Sequence, residues 1–227
     1  MKNIQFKSSF LLNICSLIIL LSACSTSKNI QDVSVDSANY QQNKHYKLIN
    51  PPLSVETKDN QIEVVEFFFY ACPHCNELES KIKPWLEDKK DIIDFKRIPA
   101  ILGPSWADQA KAYYIAEQLG LIDTIHPALL NAIHKDKRKF NDEYSVMKFF
   151  IEQGIDRKDF IDAYNSPELA EKINYARIMS VKYGLRGVPA LIINGKYKTA
   201  PFYIGKQENV LDIVDYLIAK EQLSLSN

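Results

Sequence analysis

Residues 62–75 read Ile-Glu-Val-Val-Glu-Phe-Phe-Phe-Tyr-Ala-Cys-Pro-His-Cys. From Ile62 to Tyr70 the run is β-branched and aromatic with no turn residue to stop it, the pattern of a strand buried on both faces. Cys72-Pro73-His74-Cys75 then breaks it. Leu78, Ile82, Trp85 and Leu86 recur at helical spacing straight afterwards, which predicts a helix starting at the cysteine pair and kinked at Pro84. Ile92 to Ile98 reads as a second strand. Strand, CxxC, helix, strand is a βαβ unit with the reactive pair at the helix N-terminus.

Outward from this unit the pattern is mixed. His45 to Ile49 is a short strand candidate halted by Pro51-Pro52. From Ser105 to Tyr183 the spacing is wholly helical, with Gly120, Gly154 and Gly184 placed as helix C-caps and Ser166-Pro167 as an N-cap followed by a first-turn proline. Strand character returns at Ala190 to Ile193 and at Lys196 to Thr199, joined by an Asn194-Gly195 turn. A last helix is expected from Gln207 to Gln222, with Val210, Ile213, Val214, Leu217 and Ile218 facing inward. Sheet elements flank the helical block. The expectation is therefore one α/β domain, residues 45–104 and 185–227, carrying an all-helical insertion at 105–184.

The N-terminus reads as a leader. Lys2 and Lys7 precede an apolar run from Phe10 to Leu21, interrupted only by Asn13 and Ser16 and too short for a comfortable membrane span. It ends in Leu21-Ser22-Ala23-Cys24, which resembles a lipoprotein processing site: residues 1–23 would be removed, Cys15 with them, and Cys24 would carry a diacylglyceryl anchor. Residues 24–44, rich in Ser, Asn, Gln, Lys and Asp, read as a flexible tether. With Cys24 lipidated, Cys72 and Cys75 are the thiols that remain. In an exported chain that is one redox pair rather than a disulfide framework. Acidic and basic residues balance at 28 each, so no global field draws nucleic acid or an anionic membrane.

The pair suits thiol–disulfide exchange. Only a thiolate attacks a disulfide, and the unpaired N–H groups and dipole of a helix N-terminus favour an anion at Cys72. His74 can donate a hydrogen bond or place positive charge beside that sulfur, and Cys75 can resolve a mixed disulfide formed at Cys72. A lone CxxC can also be half of a zinc site, but no second CxxC or spaced histidine pair supplies the other ligands; a Cys-Cys-His copper site is the remaining metal alternative. Glu66 interrupts the most apolar strand, where burial would raise its pKa and let it exchange protons with Cys75. Val188-Pro189, between a helix end and a strand, reads either as a loop proline or as a cis bond presenting Val188 backbone groups to an extended substrate.

Glu66 to Cys75, together with Arg186-Gly187-Val188-Pro189-Ala190 and Asn194-Gly195-Lys196-Tyr197, resembles the DsbA family of periplasmic thiol:disulfide oxidoreductases. The resemblance spans roughly residues 45–222. It implies a thioredoxin-like fold with an inserted helical subdomain and an enzyme that donates its disulfide to reduced exported proteins. Reoxidation by a DsbB-like quinone-linked membrane protein, with no cofactor or metal in the chain itself, is likewise implied. Cys72 would be the exposed nucleophile, Cys75 its buried partner, Pro73 and His74 the intervening dipeptide with His74 the main tuner. Glu66 matches the family's buried acid, and Pro189 its cis-proline preceded by Val188. The lysine that accompanies the acid in some members has no clear match; Lys96 is the nearest candidate. The leader and tether depart from the best-known members, which are soluble. The competing readings are an envelope isomerase or reductase, and a non-enzymatic metal-handling or virulence lipoprotein.

Overall fold

The computed structural model describes residues 40–57, 61–204 and 209–225. The leader and Cys24 lie outside the described residues. The seven residues of strand β2 (Ile62–Phe68) are all buried, Glu63 and Glu66 included, as expected of a largely apolar strand covered on both faces. β2 pairs in parallel with β3 (Ile93–Pro99) across helix α1 (Pro73–Lys89), giving the βαβ unit. α1 continues through Pro84, which lies on its exposed side.

The chain then leaves the sheet for five helices, α2 (Ala107–Gln118), α3 (Ile122–His134), α4 (Glu143–Glu152), α5 (Arg157–Tyr164) and α6 (Pro167–Lys182). Ser166 caps α6, its hydroxyl accepting from the Leu169 N–H at 3.1 Å, and Gly120, Gly154 and Gly184 follow helix ends at positive φ. The chain returns in β4 (Ala190–Ile193) and β5 (Tyr197–Thr199) and closes with α7 (Val210–Leu225). Lys196 N–H bonds the Ile193 carbonyl at 3.0 Å across Asn194 and Gly195, both at positive φ. With β1 (Tyr46–Leu48), the described strands form one sheet in the order β1-β5-β4-β2-β3.

Two apolar cores result. Ile62 and Val64 pack with Leu78 and Ile82 of α1 and with Ile213, Val214 and Leu217 of α7. Val65 and Phe67 belong to the larger core, which the insertion fills with Ile115, Leu129, Phe149 and Phe150. Folded structure begins earlier than residue 45: Tyr40 is half-buried, its ring 5.5 Å from those of both His45 and Tyr216, and Gln42 bridges to Tyr46. Those ring contacts hold residues 40–44, expected in the tether, against the domain. Among the described residues no helix is long and apolar enough to cross a membrane.

Candidate active site

Cys72 is the N-cap of α1 and Pro73 its first residue, where the missing proline N–H has no helical partner to lose. Cys72 is half-buried and Cys75, on the first turn, is 3% exposed; both are free thiols. The Cys72 thiol donates to the Val188 carbonyl at 3.5 Å, so strand β4's entry loop lies over the sulfur. The Val188–Pro189 bond is cis.

The two thiols are driven in opposite directions. Cys72 is lowered from 9.0 to about 6: a hydrogen bond from the Cys75 thiol contributes most, partial burial opposes it, and the backbone N–H groups of Cys75 and His74 add to the lowering. The charge of His74 contributes least among these causes. Its imidazole is exposed and turned to Glu77, Nδ1 to Oε2 at 3.2 Å. Burial, then the hydrogen bond to Cys72, pushes the Cys75 thiol far above the ordinary range. A thiolate at Cys72 and a thiol at Cys75 is the division of roles that disulfide exchange requires.

A partly buried charge cluster acts on Cys75. Glu66 is 2% exposed, and burial raises its carboxyl to about 7 even though Arg97 pulls the other way. The parallel register sets Glu66 opposite Arg97, whose Nε donates to Glu66 Oε2 at 3.0 Å and whose Nη2 donates to Glu79 Oε2 at 2.8 Å. Burial acts to raise Glu79, but His126 and Arg97 outweigh it and hold that carboxyl below its usual range. His126 of α3 is 5% exposed, with Nε2 3.5 Å from Glu79 Oε2 and Nδ1 2.9 Å from the Tyr70 hydroxyl. The ionised Glu66 also raises Cys75, so cluster and cysteine pair are electrostatically coupled. Among the described residues no group of three or more His, Cys, Asp or Glu side chains is arranged to hold a metal ion.

A family model described as DSBA-like thioredoxin domain matches residues 78–210. The thiol:disulfide interchange protein DsbA of Burkholderia cepacia is 34% identical over 179 residues, 79% of this chain and 84% of its own. The protein of the same name from Pseudomonas aeruginosa is 31% identical over 204 residues, 90% of this chain and 96% of its own. The crystal structure of P. aeruginosa DsbA superposes with a TM-score of 0.77 at 32% identity, covering 83% of this chain and 97% of that one. The chain belongs to the DSBA-like thioredoxin-domain family.

This DsbA-like chain is a thiol:disulfide oxidoreductase of thioredoxin-like fold with a helical insertion. Cys72, Pro73, His74, Cys75, Val188 and Pro189 meet at one end of α1, with Glu66 behind them. The cation facing Glu66 is Arg97; Lys96 turns instead to Glu63 and Asp94, at 2.7 and 3.1 Å. Sequence reasoning missed Arg97, Glu79 and His126. Glu79 carries a readable signal, four residues after Cys75 and so on the same helix face. His126 carries none, because only the packing of α3 brings it near.

Proposed function

We propose that the Cys72–Cys75 disulfide is donated to reduced exported proteins. A substrate thiolate attacks Cys72 Sγ, forming a substrate–Cys72 disulfide and breaking the Cys72–Cys75 bond. Cys75 leaves as a thiolate and takes a proton from Glu66, which at about 7 is partly protonated near neutral pH. A second substrate thiol, once deprotonated, attacks the substrate sulfur of the mixed disulfide, and Cys72 leaves as the stabilised thiolate. The substrate loses two electrons and the pair gains them; of the two substrate protons, one goes to solvent and one restores Glu66. Val188 offers its backbone to an extended substrate strand, and Pro189, without an N–H, adds no donor beside the sulfurs.

One observation carries this reading: the opposed acidities of two thiols at a single helix end. Stabilising the Cys72 thiolate stabilises the reduced pair, and so makes the disulfide a stronger oxidant. Equilibration of the pair with glutathione tests it. The expected potential is more oxidising than that of glutathione, and a more reducing one would replace the oxidase by a reductase. Reoxidation by a DsbB-like quinone-linked membrane protein completes the cycle. Leu21-Ser22-Ala23-Cys24 supports a membrane-anchored lipoprotein facing the periplasm. Cys24→Ala should abolish metabolic labelling with a fatty-acid analogue; labelling that persists refutes the anchor.

A further inference from the structure

The turn that carries the nucleophile is gripped by the helical insertion as well as by its own half of the domain. The Ala71 N–H donates to Gln109 Oε1 at 3.0 Å, and the Tyr70 carbonyl accepts from His134 Nε2 at 2.7 Å. These two groups are the opposite edges of one peptide unit, Tyr70–Ala71, so two side chains on α2 and α3 grip a single rigid plane from both sides. The next amide, Cys72 N–H, closes the turn on the Phe69 carbonyl at 3.0 Å, and the Tyr70 hydroxyl is fixed at 2.9 Å by His126, also on α3. Gln109 is 5% exposed, so its amide is committed to this contact.

We propose that Gln109 and His134 are positioning residues that set the orientation of Cys72 by clamping the Tyr70–Ala71 peptide. Cys72 is the nucleophile here as in the function proposed above. Cys72 is an N-cap whose side chain makes no cap hydrogen bond, at φ −80° and ψ 118°. Its sulfur faces the N–H groups of His74 and Cys75 only while the chain enters Cys72 in this orientation, and the Ala71–Cys72 peptide hangs from the clamped plane through Ala71 alone. A peptide free to rotate at residue 71 carries the sulfur off the helix axis. A carbonyl oxygen can only accept, so this contact places the hydrogen on His134 Nε2. The insertion thus acts on the chemistry through backbone geometry, in addition to covering the sheet.

Gln109→Met and His134→Leu each remove one arm at similar volume, and the double variant removes both. The readouts are the glutathione equilibrium constant of the pair and the pH dependence of Cys72 alkylation in reduced protein. Either single change should shift the equilibrium about threefold toward the disulfide form, because one arm still holds the plane; the double should shift it about thirtyfold, more than the product of the singles. Cys72 should titrate higher in the same order. His134→Gln restores an N–H donor and should return the constant close to wild type. Equal constants for His134→Leu and His134→Gln overturn the clamp even if the double variant fails to fold. So does an unchanged Cys72 acidity in a folded double variant of lowered stability, since the contacts then only seat the insertion. A wild-type Cys72 as weakly acidic as an ordinary thiol would remove the nucleophile assignment itself, a result distinct from a low wild-type value that the variants leave unmoved.

Discussion

Reducing the cysteine pair should stabilise the fold by an amount that grows with pH. In the reduced protein Cys72 titrates at about 6, against 9.0 for an ordinary thiol. At about 1.4 kcal/mol per pH unit the difference sets a ceiling of about 4 kcal/mol. The sulfur is only half-buried, and solvent screening cuts the realised figure to roughly half of that. The sign follows from a folded-state pKa that is depressed. The contribution is fully present above pH 9, shrinks as pH falls, and is gone below about 6. Cys75 is shifted upward and stays protonated in the fold, so it costs stability only above the ordinary thiol pKa, where the unfolded chain ionises. Oxidised protein has neither thiol and gains nothing from this source, while Glu66 titrates in both redox states and largely cancels from their difference. Paired urea melts of reduced and oxidised protein measure the gap. Between about pH 5.5 and about pH 8.5 it should move by about 1.5 kcal/mol in favour of the reduced form. A gap that is constant over this range, or that narrows with rising pH, refutes the assignment of a stabilised thiolate to Cys72.

Three further outcomes are expected. Glu66→Gln keeps an acceptor for Arg97 but removes a carboxyl raised to about 7, whose favourable contribution is present below 4.5 and lost as pH rises through 7. The variant should therefore be more stable than wild type in melts above pH 7, on the order of 1–3 kcal/mol, with the advantage vanishing in acid. Arg97→Met leaves Glu66 and Glu79 without their shared cation and should cost about 3–5 kcal/mol near neutral pH, read from urea midpoints, and much less at about pH 4. Gly195→Ala would drive a methyl into the Leu53 carbonyl oxygen at a φ of +62°, so thermal melts should show a loss of about 2 kcal/mol or more.

What the sequence made legible was local. The buried strand, the cysteine pair opening a helix, the Ser166 cap and the Asn194-Gly195 turn are each specified within a few residues, and each stands where it was expected. The charge cluster was not legible, because it depends on register between strands about thirty residues apart. Lys96 and Arg97 are both cations on β3, and a slip of one residue exchanges the face of the sheet each reaches. The raised acid at Glu66 was legible from its apolar strand, but not the Arg97 guanidinium that works against the effect of burial. Tyr40 failed for the same reason, since one of its ring partners, Tyr216, is on the last helix. The sequence shows His74 between the cysteines but not its turn toward Glu77, which leaves its charge the smallest of the influences on Cys72.

The sheet order has a consequence for how the chain is assembled. β4 lies between β2 and β5, so one edge of β2 waits for residues 190–193 before its ladder can close. In synthesis from the N-terminus, Cys72 and Cys75 emerge before the Val188 carbonyl that later covers Cys72. During that interval β2 is an apolar strand with an unfilled edge, open to pairing with other chains. The intervening helices pack largely on one another, α2 against α3, α5 and α6, and can be structured while β2 waits. Insertion of β4 is then the event that closes the sheet and brings the loop over the sulfur, so the pair acquires its finished surroundings only when nearly the whole chain is present.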